Sequence, residues 1–208
     1  NAFVGPMLAA YIMIRTLEGK ESWKKVRKST LSIKVGLKWY LFTLIVIPAA
    51  MFLGMVILNG GIPTFDDLTS RFFITYLISF VIIFFIGGPL PEEIGWRGFA
   101  LPRLQSKFGP LKATLLLAVL WAFWHLPHFL TAAQRGGPGS DLSILYIHLP
   151  IFIFMCLPIS IIITWFYNCN RGNLFIVMLV HASVNTFSLV QTNSTNAILK
   201  NSDLFVGI

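Results

Sequence analysis

The stretch "GGPLPEEIGWRGFALPRLQ", residues 87–105, places two adjacent carboxylates directly after a long apolar run. Glu92 and Glu93 follow Pro91, and Arg97 comes one helical turn after Glu93. If the stretch is helical, Glu93 and Arg97 can therefore form an ion pair. Glu92 then points about 100° away around the helix, so the two acids meet different surroundings. The plain alternative is a capped helix start, in which the acids face the positive end of the helix dipole.

The composition indicates a polytopic membrane protein. Of the 208 residues, 56% are hydrophobic and only 12% are charged, whereas soluble domains carry about 25% charged residues. The net charge of +8 does not indicate a nucleic-acid partner, because the Lys and Arg residues cluster in short segments between apolar runs. That distribution is the one that orients a protein in a lipid bilayer.

Apolar runs that approach the length of a membrane span recur along the chain. They cover residues 2–14, 39–58, 72–90, 111–130, 143–167 and 174–191. The sequence therefore predicts an all-α transmembrane bundle of about six spans, with a short re-entrant or interfacial helix over 91–108.

The segments between these runs predict the orientation. Residues 18–38 are rich in Lys and Arg and are interpreted as a basic linker that sets the topology, with an amphipathic surface helix as the alternative. With this linker in the cytoplasm, most other basic residues fall on the same side. Turns or loops are predicted over 59–67, 131–141 and 168–173.

Ionisable and amide side chains inside the predicted spans are the candidate functional residues, because such groups are costly in a bilayer. His125 lies in "LWAFWHLPHFL", where Pro127 predicts a helix break. His181 and Asn185 lie in "LVHASVNTF" and share one helix face. Hydrogen bonding between packed helices is the simpler explanation for each group taken alone.

Two further histidines, His128 and His148, are weaker candidates.

Taken together, these side chains are the kinds of group that catalyse hydrolysis. A Glu and a His can bind and activate a water molecule, and a second His with an Asn can hold a developing oxyanion. No Ser or Cys stands beside a base, so direct attack by water on an amide is the natural interpretation. The alternatives are a proton-coupled transporter and a catalytically silent membrane adaptor.

Three motifs in this order resemble those of the CPBP family, which comprises type II CAAX prenyl endopeptidases and bacteriocin-processing or self-immunity (ABI-like) proteins. They are EExxxR in "EEIGWR", aromatic-xxx-His in "WAFWH" and HxxxN in "HASVN". The resemblance covers about 39–191, which would be the protease domain. Residues 1–38 would be a partial span and cytoplasmic linker, and 192–208 a tail.

The resemblance implies roles for individual residues. Glu92 would be the general base and would act with His125 on the water. His181 and Asn185 would form the oxyanion site. The Glu93–Arg97 pair would have a supporting role. Trp121 stands where the second motif usually has Phe, and little consequence is expected from this difference between two bulky aromatics.

Cofactor use stays open at this point. The family is described both as metalloproteases and as metal-independent glutamate peptidases, so the expectation is no cofactor or one divalent metal, with zinc as the candidate. Glu92, His125 and His181 would be the metal ligands. No HExxH helix is present, which excludes a zincin-type site.

The expected substrate is a membrane-associated protein or peptide, either a CAAX-type tail or a bacteriocin or other peptide precursor. The expected location is a prokaryotic cytoplasmic membrane, with the active site toward the cytoplasm. For His125 and His181 to meet at one depth, either the span over 111–130 must start well outside the bilayer or the opening stretch must dip inward, and the second is expected to contribute. The sequence therefore predicts that Pro91–Pro102 is partly buried among the spans.

Overall fold

The fold is known from a computed structural model that describes residues 4–59, 70–134 and 143–192, and every regular element in these ranges is a helix. The all-α prediction is therefore confirmed for the described part of the chain. Three predicted segments fall largely outside it: the turn over 59–67, the loop over 131–141 and the tail over 192–208.

Ten α-helices follow one another in the described residues: α1 (Gly5–Leu17), α2 (Lys20–Thr30), α3 (Leu37–Leu41), α4 (Ile47–Asn59), α5 (Ser70–Ile86), α6 (Pro89–Gly95), α7 (Leu101–Trp124), α8 (Leu126–Gln134), α9 (Leu149–Cys169) and α10 (Leu174–Thr192). Short π-helical turns join or precede some of them: Phe42–Val46 between α3 and α4, Trp96–Ala100 between α6 and α7, and Ile144–His148 before α9.

Three helical runs in the described residues are long and apolar enough to cross a membrane: Leu37–Ile57, Ile74–Leu130 and Ile144–Cys169. Large apolar side chains on these runs face outward, and Leu53 and Ile78 are more than half exposed. Such a surface suits lipid rather than water. The count of about six spans stays a prediction, because the middle run is 57 residues long and bends several times.

The bends of this middle run lie where the sequence has glycine and proline. Gly88 precedes α6 with φ of 107°, and Gly109 interrupts α7 before Pro110 with φ of 73°. Both φ values lie in the left-handed region, which glycine adopts without steric cost. The break at Gly109 separates the predicted short helix from the predicted span over 111–130.

The predicted span over 111–130 is two helices rather than one. α7 ends at Trp124, and α8 begins at Leu126. Pro127 has no N–H to donate to the preceding turn, so the helix cannot continue regularly through this point. The break that Pro127 predicts is therefore present, and it falls at His125.

The stretch from Pro91 to Pro102 is buried or half-buried at every residue, which confirms that it lies inside the bundle. α6 packs against α1, α5 and α10. The approach of α1 is close, because a Cβ built on Gly95 would lie 2.5 Å from Cβ of Pro6. A small residue at position 95 is thus what allows these two helices to touch.

α10 is a largely buried helix, and the basic linker docks onto its start. Nearly all described α10 side chains are buried. The hydroxyl of Ser29 in α2 donates to the Gly172 carbonyl at 2.5 Å and accepts from the Leu174 N–H at 2.9 Å. In α2, Trp23 and Val26 pack on the core while its Lys and Arg side chains are exposed. The linker therefore contains a surface helix.

Replacing Gly95 by Ala is expected to destabilise the protein by about 1–3 kcal/mol, the range for overpacking a tight contact. Gly54 in α4 is the matched control, because a Cβ there meets nothing within 4 Å. Thermal unfolding in detergent should show a lower midpoint for Gly95→Ala and none of that loss for Gly54→Ala. Equal behaviour of the two variants would contradict the packing described for α1 and α6.

Candidate active site

The carboxylate of Glu93 joins α6 to α10 at the centre of the bundle. Its Oε1 accepts hydrogen bonds from Arg97 Nη1 at 2.8 Å and from His181 Nδ1 at 2.8 Å. All three residues are at most 1% exposed. The ion pair expected from the spacing of Glu93 and Arg97 is present, and the contact with His181 is an additional one that the helix spacing did not indicate.

Arg97 is held from three sides, as a fully buried guanidinium requires. Besides its bond to Glu93, its Nη2 donates to the Ser160 hydroxyl of α9 at 3.3 Å. Its guanidinium carbon lies 5.2 Å from the ring centroid of Trp121, a distance at which cation–π attraction operates. The positive charge of Arg97 is therefore matched by the negative charge of Glu93, and both side chains are fully buried.

Glu92 has a different environment from its neighbour. It is 8% exposed, and its Oε2 accepts a hydrogen bond from the indole Nε1 of Trp121 at 2.7 Å. Its Oε1 lies beside Gly88, where an added Cβ would come within 2.7 Å of it. Oε1 has no hydrogen-bond donor among the described residues. This carboxylate thus keeps one oxygen available.

His125 stands at the junction of α7 and α8. Its Nδ1 lies 2.9 Å from the Trp121 carbonyl oxygen. A carbonyl only accepts, so Nδ1 carries the hydrogen and Nε2 of the neutral ring presents a lone pair. The ring packs edge-on against Phe152, with 5.0 Å between centroids, which fixes its plane.

The two imidazole rings flank one indole. The centroid of Trp121 lies 5.8 Å from that of His125 and 5.3 Å from that of His181. Because the same indole also bonds to Glu92, the structure brings these three predicted site residues to one ring. His128 and His148 are outside this group: His128 is exposed on α8, and His148 is half-buried before α9.

Asn185 faces the start of α6 from α10. Its Nδ2 donates to the Gly87 carbonyl at 3.4 Å, which is long for a hydrogen bond. Its Oδ1 is buried and has no partner among the described residues. A buried amide with so little committed hydrogen bonding is available to a ligand.

Two contributors to the site were missed in the sequence. Ser160 was one more hydroxyl in an apolar span, although the cost of a polar group at that depth is a usable signal. Trp121 was interpreted as an aromatic equivalent to Phe. Its N–H is the feature that matters here, because it bonds to Glu92 and a phenyl ring has no donor.

The described residues do not offer a grouped ligand set for a metal ion. Among the described residues, no three His, Cys, Asp or Glu side chains are grouped so that they could hold one. Oε1 of Glu93 is already shared by Arg97 and His181, and Oε2 of Glu92 is bonded to Trp121. A zinc site needs about three protein ligands converging on one point. No chemical step is therefore assigned to a metal.

Comparison with known protein families identifies the family of this chain. The family model described as "Type II CAAX prenyl endopeptidase Rce1-like" matches residues 74–187, more than half of the chain. The chain belongs to the Rce1-like family. The match includes Glu92, His125, His181 and Asn185, and it agrees with the CPBP resemblance of the three motifs. Membership identifies an integral membrane protein of a protease family.

One curated relative is the CAAX prenyl protease 2 of Methanococcus maripaludis. It is 26% identical over 186 residues, which are 88% of this chain and 68% of the relative. No solved structure matches the chain.

Arg97→Met is expected to lower the free energy of unfolding by about 3–5 kcal/mol, because it leaves Glu93 charged and buried without its cation. The double variant Glu93→Gln/Arg97→Met removes both charges and should recover part of that loss. Lys24→Met is the control, because the Lys24–Glu21 pair is exposed and such pairs contribute little. Denaturant unfolding in detergent checks this. A double variant less stable than Arg97→Met would contradict the account.

Proposed function

We propose that this Rce1-like chain is an intramembrane endopeptidase in which Glu92 activates the attacking water. The observation that carries the proposal is the contrast between two adjacent carboxylates. Glu93 is fully buried and its Oε1 is shared by Arg97 and His181, whereas Glu92 is 8% exposed and keeps Oε1 without a donor among the described residues. Oε2 of Glu93 also has no partner among the described residues, but it is buried beside the ion pair with Arg97. A general base must lie within reach of the water, and the partly exposed Glu92 meets that condition better.

The first step would be attack by water on the substrate carbonyl. Oε1 of Glu92 removes one proton from the water, and Nε2 of His125 accepts a hydrogen bond from the other. The hydroxide oxygen forms a bond to the carbonyl carbon and leaves an oxyanion. The His125 tautomer supports this role, because the Trp121 carbonyl holds the hydrogen on Nδ1.

The oxyanion would be held by His181 and Asn185. Since Nδ1–H of His181 is directed to Glu93, Nε2 can donate only when the ring is an imidazolium. The Glu93 carboxylate orients the ring by accepting from Nδ1, in the way that an acid orients a catalytic histidine. Asn185 supplies its second amide hydrogen. The C–N bond then breaks, and Glu92 returns its proton to the leaving amine.

The substrate would be a membrane-anchored chain, either with a CAAX-type tail or as a peptide precursor. The name of the Methanococcus maripaludis relative supports the first choice. An entirely apolar cavity of about 440 Å³ between α4, α9 and α10 also supports a lipid-borne substrate. Val184 of α10 lines this cavity next to Asn185. The site would face the cytoplasm of a prokaryotic cell, in line with the basic linker.

Glu92→Gln is expected to reduce kcat by about 10²–10⁴-fold, the usual contribution of a general base. The assay is cleavage of a prenylated CAAX peptide, or of a lipidated precursor peptide, by purified protein in liposomes. Glu21→Gln is the control, because Glu21 is exposed on α2. This variant should cleave the peptide as fast as the unaltered protein does. Cleavage should persist with a chelator, since no step uses a metal.

Other outcomes of this assay have definite meanings. Full activity in Glu92→Gln would remove the general-base role. Loss with chelator and recovery with zinc would replace the water step with a metal-dependent one. Proton flux across the liposome without peptide cleavage would favour the transporter, and neither activity would favour the silent adaptor.

Gly88→Ala is expected to reduce cleavage at least tenfold, because the new Cβ would displace Oε1 of Glu92; a displacement near 1 Å can cost about 10²-fold in rate. Gly109→Ala is a matched control. Gly109 also has a positive φ, but a Cβ there meets nothing within 4 Å. Both variants should lose similar stability through backbone strain, and only Gly88→Ala should lose activity. Equal activities would show that Gly88 does not shape the site.

A further inference from the structure

Trp121 contacts more of the candidate catalytic groups than any other side chain described above. It is fully buried in the last turns of α7. Its indole N–H bonds to Glu92, its carbonyl bonds to His125, and its ring lies beside His181. Three candidate catalytic residues thus contact a residue that carries no acid–base chemistry.

The indole N–H distinguishes the two oxygens of Glu92. The terminal torsion of a glutamate side chain is broad and roughly two-fold, so an unbonded carboxylate exchanges its oxygens readily. The 2.7 Å bond from Trp121 Nε1 to Oε2 removes that freedom, since both residues are buried. Oε1 is then the oxygen that remains beside Gly88.

The carbonyl of Trp121 is available because α7 ends early. In a continuing helix, this carbonyl would accept from the backbone N–H four residues on, which is that of His125. The His125 N–H instead bonds to the Ala122 carbonyl at 3.0 Å, a tightening typical of helix ends. The freed Trp121 carbonyl accepts from the His125 imidazole, which sets the tautomer of that ring.

We propose that Trp121 is a positioning residue that fixes the side chains of Glu92 and His125 relative to each other for attack on the substrate. One residue fixes the free oxygen of Glu92 through its side chain and the free nitrogen of His125 through its backbone. The relative placement of the two groups then depends on the geometry of a single amino acid. This inference rests on the proposed function, since positioning has meaning only where Glu92 and His125 act together.

Trp121→Phe is the informative variant, because it retains an aromatic ring and removes the N–H donor. We expect kcat to fall by about 10–100-fold, as for a catalytic group displaced by up to about 1 Å. KM should stay within about threefold, because ground-state binding does not use the bond. The matched control is Trp96→Phe, since the Trp96 indole N–H is buried and has no partner among the described residues.

A second measurement tests the contact without using activity. In protein labelled with ¹⁵N-tryptophan, the Trp121 indole resonance is identified by its loss in Trp121→Phe. It should move upfield in Glu92→Gln, where a neutral amide replaces the carboxylate, while the Trp96 resonance stays in place. Unfolding midpoints of both Phe variants in detergent show whether each is folded.

The outcomes separate the inference from the proposed function. An unmoved Trp121 resonance in Glu92→Gln overturns the inference whatever the activity. A moved resonance with unchanged kcat in folded Trp121→Phe removes the positioning role and leaves the endopeptidase in place. A fall in kcat in Trp96→Phe equal to that in Trp121→Phe also overturns it. Unaltered protein that cleaves neither peptide overturns the proposed function and the positioning role with it.

Discussion

The structure depends on one buried carboxylate, that of Glu93. An ionised acid in an apolar bundle is costly unless it is paired and hydrogen-bonded. Arg97 supplies the opposite charge from the same helical stretch, and His181 supplies a second donor from α10. The interaction therefore decides how α6 and α10 sit against each other. Ser160 extends it to α9 by accepting from Arg97.

Three irregular points of the helices lie around this interaction. Gly88 has a left-handed backbone at the start of α6, the π-helical turn Trp96–Ala100 contains Arg97, and α7 ends at His125. Each irregularity forgoes regular helical hydrogen bonding, and each changes what a nearby group can reach. Gly88 leaves room for Glu92, and the break at His125 frees the Trp121 carbonyl. These three departures from regular helix thus lie beside side chains of the candidate site.

Much of this arrangement can be predicted from the sequence, because helix geometry is local. The spacing of Glu93 and Arg97 indicates their ion pair, and Pro127 indicates the break near His125. The burial of Pro91–Pro102 also follows from a simple depth argument. These features need only the rise and periodicity of one helix.

The remaining features depend on side-chain contacts between helices. The Glu93–His181 bond joins residues 88 positions apart, and periodicity does not give the distance between two separate helices. The Trp121–Glu92 bond depends on a rotamer that brings Nε1 rather than the ring edge toward the acid. A pattern of apolar residues does not distinguish Trp from Phe. The apolar pattern of α7 therefore does not predict the indole N–H donor of Trp121.

Glu92 and Glu93 are adjacent, so both acids of the candidate site lie on the same short helix, α6. Neighbouring residues in a helix point about 100° apart, so α6 directs Glu93 toward His181 on α10 and Glu92 toward Trp121 on α7. One short segment of backbone thus carries the proposed base, Glu92, and also Glu93, the hydrogen-bond partner of the proposed oxyanion group His181. A small displacement of α6 moves the two carboxylates together, and with them the acceptors of the hydrogen bonds from His181 and Trp121. Two acids on different helices would lack this property, because each could shift without the other.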